Sequence, residues 1–172
     1  MRILGLDPGS RFTGYGVLER QGRRLKAVDM GRIALPAKAP LPSRLLKLSQ
    51  EVARLIAQHE PDFAVLESLY HGVNPRSLIV LAQARGCLLT TLASNGLEIC
   101  EYAPAEIKTA VTGNGRADKE QVARMVRLVL GLGEQKLSPD ASDALAVAIC
   151  FSQRYRFDRL GSAEARRRRP AN

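Results

Sequence analysis

The order of its short apolar segments constrains the fold of this chain more than any other feature of the sequence. Three strand-like segments come first, at 1–6, 12–18 and 25–35, and helical and strand-like segments alternate after them. Strands joined through a helix usually pair in parallel, because the crossover helix lies on one face of the sheet. The sequence therefore predicts an α/β fold in which a mixed five-stranded sheet is flanked by helices.

Turn and capping residues mark where the later elements begin and end. Proline ends a helix or opens one, and Ser or Asp before a helix can accept a hydrogen bond from its first backbone N–H groups. The predicted elements are a helix capped by Ser43 and ended by Pro61, a strand 62–67, a helix 76–95, a strand 97–102, a helix 104–111, a helix capped by Asp118 with Gln121 and ended at 131–133, and a last helix from Ser138 to about Tyr155.

The composition indicates one globular domain in a reducing compartment. The chain has 172 residues, of which 45% are apolar and 25% charged. No run of about 18 apolar residues is present, and the first residues lack the pattern of a signal peptide. Cys87, Cys100 and Cys150 are odd in number and lie in apolar segments, so we expect reduced core cysteines in a cytoplasmic protein. With only His59 and His71 besides, no zinc-type cluster can be assembled.

The charge of the chain favours a polyanionic partner. Net charge is +9, from 26 basic and 17 acidic residues. The last residues, 154–172, hold seven arginines against two acidic residues, and the part after Leu160 contains almost no apolar side chains. We expect a folded domain over 1–155 and a basic, disordered tail over 156–172. Nucleic acid is the first candidate partner, and a tail that only aids solubility is the alternative.

Acidic residues stand at the ends of two predicted strands and in the first turn of the last helix. Asp7 precedes a Pro-Gly turn, Glu67 ends the strand 62–67, and Asp140 and Asp143 share one helix face because they are three residues apart. A carboxylate leaving the core is unfavourable unless something binds it. Three of the four also have a local explanation, since Asp7 could bond its own backbone in the turn and acids such as Asp140 and Asp143 are favoured at a helix N-terminus.

The predicted sheet would bring these acids together. If the strands that end at Asp7 and Glu67 are parallel neighbours, their carboxyl ends lie at the edge where open α/β sheets bind ligands. Clustered carboxylates repel each other unless cations lie between them, and oxygen-only ligands select hard ions such as Mg²⁺ or Mn²⁺. In a basic protein, such ions suggest two-metal hydrolysis of a phosphodiester.

Five segments of the sequence resemble a known family. They are "GLDPGSRFTGYGV", "LESLY", "AQARG", "EYAPAEIKTAVTGNGRADKEQV" and "DASDALAVAI", which occur in this order between residue 1 and about 155. The family is that of the RuvC-type crossover junction endodeoxyribonucleases, which have a ribonuclease H-like fold. The resemblance implies an enzyme that resolves four-way (Holliday) DNA junctions by paired nicks in recombination and repair.

The resemblance also implies a role for individual residues. Four acids are implied to ligate Mg²⁺ or Mn²⁺, with two ions per site. Two lysines are implied to lie near the scissile phosphates. Without the resemblance, both lysines would be interpreted as solvated helix residues. The residues concerned are Asp7, Glu67, Asp140 and Asp143 for the metal and Lys108 and Lys119 for the phosphates.

DNA contacts and partners complete the set of expectations. The resemblance places Tyr70 against DNA bases, although the family often has Phe there and Gln where Ser68 stands. Arg76, which begins the long helix, is a candidate phosphate contact. The helix 76–95 is apolar over most of its circumference, so we expect it to be covered by a second copy of the chain in a homodimer. The RuvA–RuvB branch-migration complex is a further expected partner.

Three other functions remain open at this level. Another ribonuclease H-like nuclease, of the shorter putative resolvase or ribosomal RNA processing type, would cut structured RNA rather than a four-way junction. An Asp before a Gly-rich hairpin also resembles the phosphate loop of actin-like ATPases and sugar kinases, which would bind ATP. A non-catalytic junction-binding module would gain nothing from four carboxylates unless metal ions neutralised them.

Overall fold

The structure is a computed structural model that describes the backbone of residues 1–68 and 75–167 and the side chains of residues 1–68 and 78–155. It contains five strands and five helices within these ranges. The strands are β1 Arg2–Asp7, β2 Phe12–Gln21, β3 Arg24–Ala34, β4 Phe63–Glu67 and β5 Glu98–Tyr102. The helices are α1 Leu41–His59, α2 Pro75–Ser94, α3 Pro104–Thr112, α4 Lys119–Leu130 and α5 Pro139–Arg167.

All five strands form one mixed sheet in the order β3-β2-β1-β4-β5. The β1–β2 and β2–β3 pairs are antiparallel, and the β1–β4 and β4–β5 pairs are parallel. Leu6 lies opposite Leu66 in the β1–β4 pair, so the next residue of each strand, Asp7 and Glu67, leaves the sheet at the same edge. The predicted mixed five-stranded sheet and its parallel neighbours are confirmed.

Helices cover both faces of the sheet and give the chain two apolar cores. Successive side chains of β1 alternate between the faces, so that Ile3 belongs to one core and Leu4 and Leu6 to the other. The first core packs against α3, α4 and α5, and the second against α1 and α2. This two-sided burial explains why β1 and β4 are almost continuously apolar.

Glycines in β1 and β2 allow α5 to lie directly on the sheet. A Cβ atom on Gly5 would come within 2.2 Å of the backbone oxygen of Ala144, and one on Gly14 within 2.0 Å of the backbone oxygen of Asp140. No side chain fits at such distances, so both positions require glycine in this packing. The close approach brings the first turn of α5 over the end of β1, where Asp7 lies.

The start of α1 differs from the sequence prediction. The helix begins at Leu41 with Pro40 at the N-cap position, and no side chain caps it. Ser43, the predicted cap, lies inside the first turn. Pro42 explains the earlier start, because its fixed φ angle suits the first turn and it lacks the N–H group that a cap would satisfy.

Two other caps are confirmed. Asp118 accepts a hydrogen bond from the backbone N–H of Gln121, whose side chain accepts one from the backbone N–H of Asp118. Ser138 Oγ accepts a bond from the backbone N–H of Ala141 at 3.3 Å, at the start of α5. These caps fix the two helix N-termini that lie beside the acidic edge of the sheet.

The end of α5 lies beyond the point that the sequence predicts. The sequence predicts an end near Tyr155, whereas the backbone of the helix continues to Arg167. The added residues are mostly Arg, Ala, Glu and Leu, which favour helix, and the next proline is Pro170. The division into a domain of 1–155 and a tail of 156–172 stays a prediction. Among the described residues, no helix has the length and apolar character needed to span a membrane.

Candidate active site

Three of the four predicted acids meet at one cleft. Asp7 and Glu67 reach it from the ends of β1 and β4, and Asp143 from the first turn of α5. The cleft has a volume of about 320 Å³ and is open to solvent on one side. Lys108 and Lys119 line it together with the apolar side chains of Pro104, Ile107, Val122, Ala146 and Val147.

The carboxylates of this cleft are held in an environment that disfavours their charged form. The pKa of Asp7 is raised from 3.8 to about 7, mainly because the group is buried and then because Asp143 and Glu67 are close. Burial is also the main reason that the pKa values of Glu67 and Asp143 are raised, and Asp143 adds to the effect at Glu67. The cleft would therefore bind a positive charge favourably.

Two lysines partly neutralise this negative charge. Lys119 Nζ lies 3.5 Å from Asp143 Oδ2, and its charge lowers the pKa values of Asp7, Glu67 and Asp143. The Lys119 side chain is 86% exposed, because it extends from the first residue of α4. Lys108 acts in the same direction on Glu67 and Asp143 from α3. Both lysines therefore lie beside the acids, and the position near the scissile phosphates that the resemblance implies stays a prediction.

The fourth acid, Asp140, lies next to the cleft but does not line it. Its Oδ2 atom is 3.9 Å from Arg32 Nη1, and among the charged groups that affect the pKa of Asp7 it has the weakest influence. Arg32 also stacks on the Phe12 ring, with 4.3 Å between the guanidinium carbon and the ring centre. Sequence reasoning missed Arg32, because nothing in the local pattern of β3 indicates that it faces the start of α5.

The donor atoms at this edge of the sheet are carboxylate oxygens. None of the described residues that line the cleft is Cys or His, so the donor set fits a hard divalent ion rather than zinc. No three His, Cys, Asp or Glu side chains in the described part of the chain are arranged as a bound metal would need. Asp143 and Asp140 are paired with Lys119 and Arg32 instead. A single site formed by all four acids stays a prediction.

The predicted DNA contacts lie largely outside the described residues. Tyr70 falls between residues 68 and 75, and Arg76 is placed only as a backbone position in the first turn of α2. Before this gap, the backbone N–H of Ser68 donates to the carbonyl oxygen of Tyr102 at 2.8 Å. The contacts of Tyr70 and Arg76 with DNA stay predictions.

Fold and site together define a class of protein. A mixed five-stranded sheet whose parallel strands end in acids, with a further acid from a helix packed on that sheet, is the arrangement of a ribonuclease H-like nuclease. The model of one family, described as "Crossover junction endodeoxyribonuclease RuvC", matches residues 3–151. The chain belongs to the RuvC family of crossover junction endodeoxyribonucleases, as the sequence resemblance predicted.

Individual relatives agree with this assignment. The protein from Syntrophomonas wolfei is 41% identical over 157 residues, which cover 91% of each chain, and that from Chloroflexus aggregans is 46% identical over 152 residues, which cover 88% of this chain and 93% of the relative. Both are crossover junction endodeoxyribonucleases. The structure of Thermus thermophilus RuvC in complex with a Holliday junction substrate matches with a TM-score of 0.86 at 26% identity, over 92% of this chain and 96% of that one. Membership in this enzyme family sets aside the kinase-like and non-catalytic alternatives.

Proposed function

We propose that this chain resolves four-way (Holliday) DNA junctions by paired symmetric nicks, through two-metal-ion phosphodiester hydrolysis, in homologous recombination and DNA repair. The observation that carries the proposal is the cleft in which Asp7, Glu67 and Asp143 lie beside Lys108 and Lys119. A hydrolysis site for a polyanion needs both features, since the acids hold cations and the lysines attract phosphate.

Asp7, Glu67, Asp140 and Asp143 would hold the ions. Nucleases of this family depend on divalent metal ions, and the oxygen-only donors favour Mg²⁺ or Mn²⁺. Two-metal hydrolysis of a phosphodiester would use two such ions. When bound, such ions activate a water molecule and stabilise the leaving oxygen of the phosphodiester. The acids must lose their protons to ligate, so the raised pKa of Asp7 makes ligation depend on pH near neutrality. Asp140 would exchange its contact with Arg32 for a ligand position.

The lysines would act on the phosphate. Lys119 lies at the rim of the cleft and has a long, exposed side chain. Its ammonium group can therefore leave Asp143 and reach a scissile phosphate without a change in the backbone. Lys108 lines the same cleft from α3. Both charges favour a phosphate in the cleft and the negative charge that develops as its bond breaks.

Opened DNA would be held by contacts around the cleft. Tyr70 follows β4 by three residues, and stacking of its ring on an unpaired base contributes about 1–3 kcal/mol. Arg76, in the first turn of α2, would contact a phosphate. The net charge of +9 supports association with DNA of any sequence.

A homodimer would supply two equivalent cleavage sites. The described face of α2 that points away from its own chain contains Ile79, which is 59% exposed, and the exposed small residues Ala82, Gly86 and Ala93. Leu88 and Leu92 on the opposite face are fully buried in the core. Because a four-way junction presents two equivalent strands, a two-fold dimer through α2 accounts for symmetric nicks.

The cellular setting is part of the same proposal. The likeness to RuvC proteins supports a partnership with the RuvA–RuvB branch-migration complex. Resolution of DNA junctions supports a cytoplasmic location. Free thiols at Cys87, Cys100 and Cys150 support the same location, because the cytoplasm keeps cysteines reduced.

Substrate choice tests the proposal. The full-length protein is incubated with a four-way junction, a linear duplex of the same sequence and a structured RNA, each with Mg²⁺, with Mn²⁺ or with EDTA. We expect paired nicks in the junction with a divalent ion and none with EDTA, while the duplex and the RNA stay intact. Equal cutting of duplex and junction, or cutting of the RNA alone, would contradict the proposal.

A further inference from the structure

A buried arginine connects α2 to the acidic edge of the sheet. The Arg85 side chain is only 9% exposed, although it lies in a helix that is otherwise largely apolar. Its Nη1 atom donates to the backbone carbonyl oxygen of Glu67 at 2.6 Å, and its Nη2 atom lies 2.5 Å from Glu101 Oε2. A buried cation is unfavourable unless its donors are satisfied, so these two contacts explain why the guanidinium can lie there.

The carbonyl that Arg85 contacts belongs to the last residue of β4. On the β5 side, Glu67 lies opposite Tyr102, and the N–H of Ser68 donates to the carbonyl oxygen of Tyr102. On the α2 side, the Arg85 guanidinium holds the carbonyl of Glu67. The backbone of Glu67 is therefore fixed by two independent contacts at the point where its side chain enters the cleft.

We propose that Arg85 is a positioning residue, which fixes the Glu67 backbone and so orients the Glu67 carboxylate toward the bound ions. This inference rests on the proposed function, in which Glu67 ligates metal. Arg85 acts through the backbone rather than through its charge, because Glu101 already pairs with that charge. The charged groups that shift the pKa of Glu67 are Asp143, Lys119 and Lys108.

The guanidinium suits this position because it is a planar fork. One arm donates to a carbonyl while the other pairs with a carboxylate in a fixed geometry, which the single ammonium of a lysine does not reproduce. Glu101 is 41% exposed, so water can solvate its charge when the arginine is replaced. The substitution Arg85→Gln therefore leaves no buried unpaired charge behind.

Direct metal binding separates positioning from a general effect on stability. Mn²⁺ is titrated into the full-length protein without DNA, and free Mn²⁺ is measured by electron paramagnetic resonance. Replacing a partner that orients a metal ligand typically weakens metal affinity by about 10–100-fold, and we expect Arg85→Gln to lie at the lower end, about ten-fold. Arg85→Lys, which keeps the charge, should have a Mn²⁺ affinity between those of the wild type and Arg85→Gln.

The matched control is Arg2→Gln. Arg2 Nη1 also donates to a backbone carbonyl, that of His59, at 2.9 Å, but Arg2 begins β1 at the edge of the sheet opposite to the acids. Its loss should leave Mn²⁺ binding unchanged. If both arginine variants weakened Mn²⁺ binding equally, the effect would be a general one and the positioning role would be wrong.

Glu67→Gln and the double variant Glu67→Gln/Arg85→Gln show whether the positioning role or the proposed metal site fails. We expect Glu67→Gln to weaken Mn²⁺ binding more than Arg85→Gln, and the double variant to bind like Glu67→Gln alone, because Arg85 acts through Glu67. If Glu67→Gln weakened binding and Arg85→Gln did not, the positioning role would be overturned while the proposed site stood. Unchanged binding in Glu67→Gln would overturn the proposed site itself. If Arg85→Gln did not fold, wild-type Mn²⁺ affinity in Arg85→Lys would overturn the positioning role.

Discussion

Asp7 is the acidic residue whose pKa burial and neighbouring charges shift most strongly. Its pKa in the folded chain is about 7, against 3.8 ordinarily, so the folded state retains a proton that the unfolded state has lost over that range. Stability of the metal-free protein should therefore be highest below about pH 4 as far as this group is concerned, and should fall as the pH rises to about 7. Metal ions would offset the loss.

Asp7→Asn should remove this pH dependence from the metal-free protein. In EDTA, we expect the variant to melt at a higher temperature than the wild type at pH 8, while the difference shrinks at pH 5, where Asp7 is mostly protonated. Thermal unfolding at both pH values measures this. Glu134→Gln, at an exposed acid, is the control and should leave the difference between pH 5 and pH 8 unchanged. A wild-type pH dependence in Asp7→Asn would show that the burial of Asp7 does not limit stability.

The position of Asp7 could be predicted from the sequence, and the position of Asp140 only in part. An acid directly before Pro-Gly at the end of an apolar strand has few explanations, and parallel pairing fixes its neighbour Glu67. Helical spacing places Asp140 and Asp143 on one face but does not tell which of them enters the cleft. That depends on the rotation of α5 on the sheet and on Arg32, which belongs to a distant strand.

At the scale of elements, the contact between α5 and the sheet determines where the acids lie. Gly14 lies opposite Asp7 in the β1–β2 pair, and its missing side chain leaves room for the backbone of Asp140. The sequence shows a Gly-rich strand without indicating which helix covers it. Tertiary packing therefore supplies information about the site that local patterns do not contain.

Gly14→Ala should displace the first turn of α5 from the end of β1. The added Cβ would meet backbone, which cannot rotate away, so we expect a loss of about 1–3 kcal/mol in stability and a loss of junction cleavage approaching about 100-fold. Gly16→Ala is the matched variant, since its Cβ would come closest to the side chain of Leu145, at 2.6 Å, rather than to the backbone of Asp140. Unfolding and single-turnover cleavage measure both. Equal cleavage by the two variants would argue against a role for this contact in placing Asp140.

The two faces of α2 should respond differently to a charge. Ile79→Glu lies on the exposed face and should give a folded monomer that nicks junctions singly, whereas Leu88→Glu lies in the core and should not fold. The sequence alone could not separate these faces, because both are apolar. Sedimentation velocity and circular dichroism distinguish the outcomes. A dimeric Ile79→Glu protein would exclude this face of α2 as the interface.

At the scale of the whole molecule, residues 154–172 carry +5 of the net charge of +9. The mixed sheet and the parallel pairing that brings Asp7 and Glu67 to one edge could be predicted because they depend on local periodicity and on the rules of parallel sheets. The length of α5 could not be predicted, because an arginine-rich segment is compatible both with a helix and with a solvated, unfolded chain. The function of the last residues therefore has to be measured on DNA.

Truncation after Arg156 should weaken binding without changing selectivity. A polybasic segment contacts phosphates of any DNA, and each neutralised phosphate contributes about −0.9 to the slope of log K against log salt. We expect affinity for the junction and for a linear duplex to fall by a similar factor, both slopes to flatten, and the cleavage rate at saturating protein to stay the same. Binding across a salt series measures this. A loss confined to the junction would mean that the tail reads DNA structure.

The most direct test of the central claim compares cleavage and binding of a four-way junction by the wild type and Asp7→Asn, with Mg²⁺ or Mn²⁺. If the acids at the sheet edge hold the catalytic ions, Asp7→Asn should bind the junction as tightly as the wild type or more tightly, because a negative charge near phosphate is lost, and should not cut it. Cleavage by Asp7→Asn at the wild-type rate would contradict the account.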